Sequence, residues 1–154
     1  MVEFADWSTP FRHGNIHIVS VEYGTGPHEI VYREPDKTYR LNSDQPEDAP
    51  ALKAKILDTE SNLLYEIAFP SILAFRVLDE HGLMELWGAD TFEPKKLGAT
   101  FLVRKHLWPK ESPVTFTCGM DGEWSYMIAT DDVCLEIVSA TVPIIQSLGE
   151  VVPE

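Results

Sequence analysis

A chain of 154 residues, 44% hydrophobic and 24% charged, is long enough to bury one sizeable core and too apolar for the disordered class. Twelve Lys and Arg stand against 25 Asp and Glu, a formal net charge of −13, which disfavours nucleic acid and anionic membrane surfaces and favours basic partners. No apolar run approaches the roughly 18 residues of a membrane span, the opening "MVEFADWSTPFRHG" lacks a secretory signal's basic and apolar regions, and the two cysteines, Cys118 and Cys134, make neither a disulfide scaffold nor a zinc site. The expectation is a single globular domain over residues 1–154, cytoplasmic, with two buried thiols.

In chain order, "IHIVSVEY" (16–23) alternates and is rich in β-branched residues, and "HEIVYRE" (28–34) follows it across the turn-forming "GTGP", which predicts a hairpin of these two strands. "TYRL" (38–41) adds a third strand before the polar, Pro-bounded loop "NSDQPEDAP", and a short helix is placed around residues 49–55. The stretch from Lys53 to Asp79 predicts two strands about "DTESN" and a third after Pro70, because proline cannot sit inside a central ladder. Residues 72–78 are apolar on both faces apart from Arg76, so this third strand is expected to be central. A short helix then has Asp79 as N-cap, Glu80 in its first turn, Leu83, Met84, Leu86 and Trp87 on one side and Gly88 as its stop. The alternative is a hairpin with "DEHG" as its loop and "LMELW" as the return strand. "RKHLWPK" (104–110) is the one basic cluster, expected as a solvated helix end over Trp108. "VTFTC" (114–118), "WSYMIAT" (124–130) and "VCLEIVS" (133–139) are three further strands, with turns at "MDGE" and "TDDV". The fold class is α+β: a mainly antiparallel β-sheet, curled or sandwich-like, with one or two short helices.

Asp79, Glu80 and His81 are the residue set of an acid/base or metal site, but side chains adjacent in sequence point apart and seldom converge on one ligand. A metal would need further ligands from His13, His17, His28 or His106, and none of these makes an HxH or HExxH spacing. "YGTGP" lacks the third glycine and the Lys-Ser/Thr of a phosphate loop, and no GxSxG elbow occurs. No catalytic residue, metal or cofactor is assigned. Trp7, Trp87, Trp108 and Trp124 read as core or rim packing.

The charge is unevenly placed. Residues 111–154 hold Glu111, Asp121, Glu123, Asp131, Asp132, Glu136, Glu150 and Glu154 and no Lys, Arg or His. Asp121, Glu123, Asp131 and Asp132 fall in predicted turns, with Trp124 and Tyr126 on the strand between them. Carboxylates rimming aromatics form a surface suited to a basic protein, through fast electrostatic association and anchor packing. The plainer alternative is turn chemistry plus core aromatics.

The segments "FPSILAFRVLDEHGL" (69–83), "VRKHLW" (103–108) and "WSYMIATDDVCLEIVSATVP" (124–143) resemble the small bacterial immunity proteins of polymorphic-toxin and contact-dependent growth inhibition systems, over about residues 69–143. That resemblance implies a non-enzymatic inhibitor that binds and neutralises a cognate, basic toxin domain, often a nuclease, and it transfers no site residue. The rivals are a small β-rich ligand-binding protein or enzyme with a pocket lined by Trp and His, and a homo-oligomeric structural protein.

Overall fold

The computed structural model describes residues 1–24, 29–42, 50–79, 83–111 and 124–154. Strands dominate, and every pairing among them is antiparallel. The first sheet takes the order β1 (Glu3–Asp6), β8 (Thr100–Arg104), β9 (Ser125–Ala129), β10 (Val133–Val138), β7 (Ala74–Asp79). The second takes the order β11 (Ile144–Glu150), β6 (Leu63–Phe69), β5 (Leu52–Asp58), β2 (Ile16–Tyr23). A separate ribbon pairs β3 (Glu29–Glu34) with β4 (Lys37–Asn42). Among the described residues there are also three short helices: α1 (Met84–Trp87), α2 (Pro94–Leu97) and α3 (Leu107–Glu111). The class is α+β, mainly antiparallel sheet with few helices.

Period-two patterning explains how the sheets stack. In β5, Leu52, Ala54, Ile56 and Asp58 are buried while Lys53, Lys55 and Leu57 are half-buried on the other face, and β6 buries Tyr65, Ile67 and Phe69 the same way. These inward side chains meet Ile128, Leu135 and Ile137 of the first sheet in one core cluster. Tyr126 joins the two sheets there, its ring 5.0 Å from Trp7 and 5.4 Å from Phe69 in edge-on geometry. The first sheet's other face carries a second cluster, in which Leu83, Leu86 and Leu97 of the helical segments cover Phe101, Val103, Met127 and Cys134. In β10, consequently, Cys134 through Val138 are all buried.

Several expectations change. The short helix around 49–55 is instead the start of β5, because Leu52, Ala54 and Ile56 form an inward row that tertiary burial rewards more than the helix preference of Ala and Lys. Strand 16–23 does not pair with 28–34: β2 pairs with β5 and β3 with β4, so the pairing partner is set by the core-facing row of β2 rather than by proximity in sequence. The strand after Pro70, expected to be central, is the edge strand β7; it is apolar on both faces because Phe75 packs between the sheets and Leu78 under the helices. Asp79 is the last residue of β7 and not a helix N-cap; α1 begins after Leu83, which makes no side-chain cap, and Gly88 closes it. Leu83 and Leu86 are buried as expected, but Met84 is 65% exposed. The turns at "DTESN" and "TDDV" do join β5 to β6 and β9 to β10. The expected strand 114–118, the "GTGP" and "MDGE" turns, and Glu80, His81, Gly82, His28 and Cys118 lie outside the described residues. Cys134 is buried. Among the described residues no helix is long and apolar enough to cross a membrane.

Candidate functional site

One end of the sandwich is built from turns that must lie close together. Asn15, just before β2, accepts hydrogen bonds at its carbonyl from the Thr59 N–H and the Thr59 hydroxyl, both 3.0 Å, tying the β5–β6 turn to the start of β2. Asp58 closes that turn, accepting the Glu60 N–H and the Ser61 hydroxyl at 3.0 Å each. A side chain at position 14 would meet the Asp58 carboxylate at 2.7 Å, so this approach requires Gly14. Gly14, Asn15 and Ile16 line a crevice of about 80 Å3 with Ala99, Ala129, Thr130 and Asp131. That is far below the roughly 300–1,000 Å3 of ordinary small-ligand pockets.

The β9–β10 turn on the far wall is held by Thr130. Its Oγ1 accepts the Val133 N–H at 2.9 Å and the Asp132 N–H at 3.2 Å while donating to the Val133 carbonyl at 2.6 Å, and this leaves Asp131 and Asp132 exposed. Asp79 is exposed opposite Val133, Glu60 is exposed on the β5–β6 turn, and Glu150 pairs with Leu63 at that turn's exit. Lys95 and Lys96 of α2 are exposed and precede Ala99 of the crevice by a few residues, so this end also has cations nearby in the chain.

Of the six residues expected to form a partner surface, the four described, Trp124, Tyr126, Asp131 and Asp132, are not gathered in one place. Asp131 and Asp132 sit at this end. Trp124 precedes β9 at its other end, seven residues away, or about 23 Å at the rise of an extended strand. There its ring carries the Arg104 guanidinium at 4.3 Å, and Arg104 also donates to Glu3 at 2.6 Å. Tyr126 faces the inter-sheet core. Asp121 and Glu123 lie outside the described residues. The tryptophans and histidines disperse as well. Trp7 and Trp87 join different cores, Trp108 covers Arg76, His17 is exposed on the outer face of β2, and His13 is exposed beside Gly98. Among the described residues, no group of three or more His, Cys, Asp and Glu side chains is placed to hold a metal.

Sequence reasoning missed a buried polar cluster on the helix-covered face of the first sheet. "RKHLWPK" is not wholly solvated: Lys105, with φ 66°, turns the chain after β8 and directs His106 inward until it is fully buried. His106 Nε2 lies 2.7 Å from Glu136, and Arg76 donates to the same carboxylate at 3.0 and 3.3 Å. A carboxylate only accepts, so Nε2 carries the proton; Nδ1, buried, has no hydrogen-bond partner among the described residues. Trp108 stacks on Arg76, its ring centre 4.5 Å from the guanidinium carbon. Glu85 accepts the Leu107 N–H at 2.9 Å, fixing the first turn of α3 against α1. The cluster therefore clamps edge strand β7, central strand β10 and the β8–α3 junction together. A signal was available: Arg76 is the one charge in residues 72–78 and Glu136 the one charge of β10, and the two are opposite in sign.

No protein-family model, no curated protein and no solved structure matches this chain.

Proposed function

We propose that this protein is a non-enzymatic, immunity-type inhibitor that binds a basic protein domain, with the exposed carboxylates of the sandwich's turn end steering and holding the partner. The observation that carries this reading is the gathering of exposed Asp131, Asp132, Asp79, Glu60 and Glu150 at one end of an acidic chain, beside the β5–β6 and β9–β10 turns that the Asp58 and Thr130 side chains hold by hydrogen bonds. Five carboxylates held in place by the fold give long-range attraction to cations and a preformed surface to receive them. Toxin neutralisation in a bacterial cytoplasm is the specific form of this reading, and it rests on the resemblance of residues 69–143.

The test is capture from a lysate of the source organism by the wild type and by a variant carrying Asp131→Lys and Asp132→Lys. A basic protein held at low salt, released progressively by salt, and captured about tenfold less well by the variant is the expected result. Equal capture by both proteins would remove this surface from the partner interface.

A further inference from the structure

The longest uncharged run of the chain is Ile137–Gly149, thirteen residues between Glu136 and Glu150 in a molecule of net charge −13. The fold sets a second uncharged run, Ile67–Phe75, beside it. Ala68 pairs with Ile144, the Ser139 hydroxyl donates to the Ser71 carbonyl at 2.6 Å, and the Leu73 N–H donates to the Val138 carbonyl at 2.8 Å. The result is a surface short of charge, with Leu73 46%, Val142 77%, Ile144 62% and Leu148 43% exposed and Glu66 opposite Gln146 on the neighbouring strand.

β11 runs along this surface as a sheet edge. It pairs with β6 on one side only among the described residues, so its other side presents backbone N–H and C=O groups without a ladder. The usual protections of such an edge are sparse here. Ile144–Gly149 has no charge and no proline, and only the register shift between Ser147 and Gly149 interrupts it. The other edges are charged: β1 carries Glu3 and Asp6, β2 carries Glu22, and β7 carries Arg76 and Asp79.

We propose that β11 is the edge through which two copies of this chain associate, antiparallel about a two-fold axis, joining their four-stranded sheets into one. Charge selects the occupant. A basic partner gains nothing electrostatically from a neutral strip, whereas a second acidic copy can approach closely only where its own charge is absent. Two-fold contact also needs a self-complementary surface, which an antiparallel strand edge supplies by construction. The regular stretch before the bulge, Ile144–Ser147, then sets Ile144 against Ser147 and Ile145 against Gln146 of the partner copy, with Val142 and Leu148 flanking the ladder.

Sedimentation over a concentration series tests this with the whole chain. The wild type is expected to move from 17.4 kDa monomer to twice that mass, and more readily as salt rises, because salt screens repulsion between two −13 copies. Partner capture through the acidic turns has the opposite salt dependence, so the two readings fail separately. A variant with Ile144→Glu and Leu148→Glu, both exposed sites, should stay monomeric while melting as the wild type does. Gln146→Lys, a polar exchange on the same edge, serves should that variant melt lower. A wild type still monomeric at about 300 µM in high salt would overturn the proposal. So would a dimer that both variants leave intact.

Discussion

The two sheets have the same antiparallel construction and opposite fates. The second is covered once: its inner strands β5 and β6 alternate, and its outer face keeps Lys53 beside Glu22 at 3.6 Å. The first is covered twice, by the second sheet on one face and the helical segments on the other, so Cys134 through Val138 of β10 are all buried and Glu136 with them. A carboxylate on an open face needs nothing; the same carboxylate under a helix needs two donors. Double covering is thus what turns Arg76, Glu136 and His106 into a clamp.

Removing the clamp's centre should have the largest effect. Glu136→Ala strands a guanidinium and an imidazole in the interior and is expected to cost about 3–5 kcal/mol in urea unfolding. Replacing all three together, Arg76→Met, Glu136→Leu and His106→Leu, should cost far less, since an apolar substitute for a whole buried ion cluster is often near neutral. A triple variant as unstable as Glu136→Ala would show that the cluster does more than satisfy itself. The singly covered sheet makes the matched test. Ile67→Ala, on its inner face, should lose about 2–5 kcal/mol, and Lys55→Ala, on its outer face, no more than about 0.5 kcal/mol. Comparable losses would mean that the outer face is covered after all.

Smaller effects sharpen the contrast between buried and exposed polar groups. Thr130→Ala removes the hydroxyl that organises the β9–β10 turn and should cost about 1 kcal/mol, read by thermal melting. It should also weaken partner capture by loosening Asp131 and Asp132. Smallest is Glu3, whose carboxyl is held below its ordinary value near 4.5 first by the Lys105 hydrogen bond and then by that of Arg104. A lowered folded pKa means stability that is present above the unfolded value and lost as pH falls through the folded one. The wild type should therefore exceed Glu3→Gln slightly at neutral pH, and the difference should vanish on acidification below that ordinary value and fade with salt. A gap unchanged by acidification would place the effect in packing rather than charge.

Gly98 shows how little of such geometry a sequence announces. Its φ is +74°, and a Cβ there would meet the Arg12 carbonyl oxygen at 2.2 Å, yet in sequence it is an ordinary loop glycine. The strands β1, β8 and β11 and the helix α2 went unpredicted for a related reason. They are short or bear weak periodicity, and long-range pairs such as Phe4 with Val103 and Ile144 with Ala68 decide them.

By itself the sequence determined the antiparallel, mainly β class, the turns at residues 58–62 and 130–132, the existence of the strands on either side of those turns, and the acidic bias. Local periodicity and turn chemistry act within a few residues and need no partner. Only the tertiary structure decided that β2 pairs with β5, that the strand after Pro70 lies at an edge, that Glu136 is buried between Arg76 and His106, and that Trp124 and Asp131 stand at opposite ends of β9. Each of those depends on which surface covers which, and covering is settled by contacts between segments far apart in the chain.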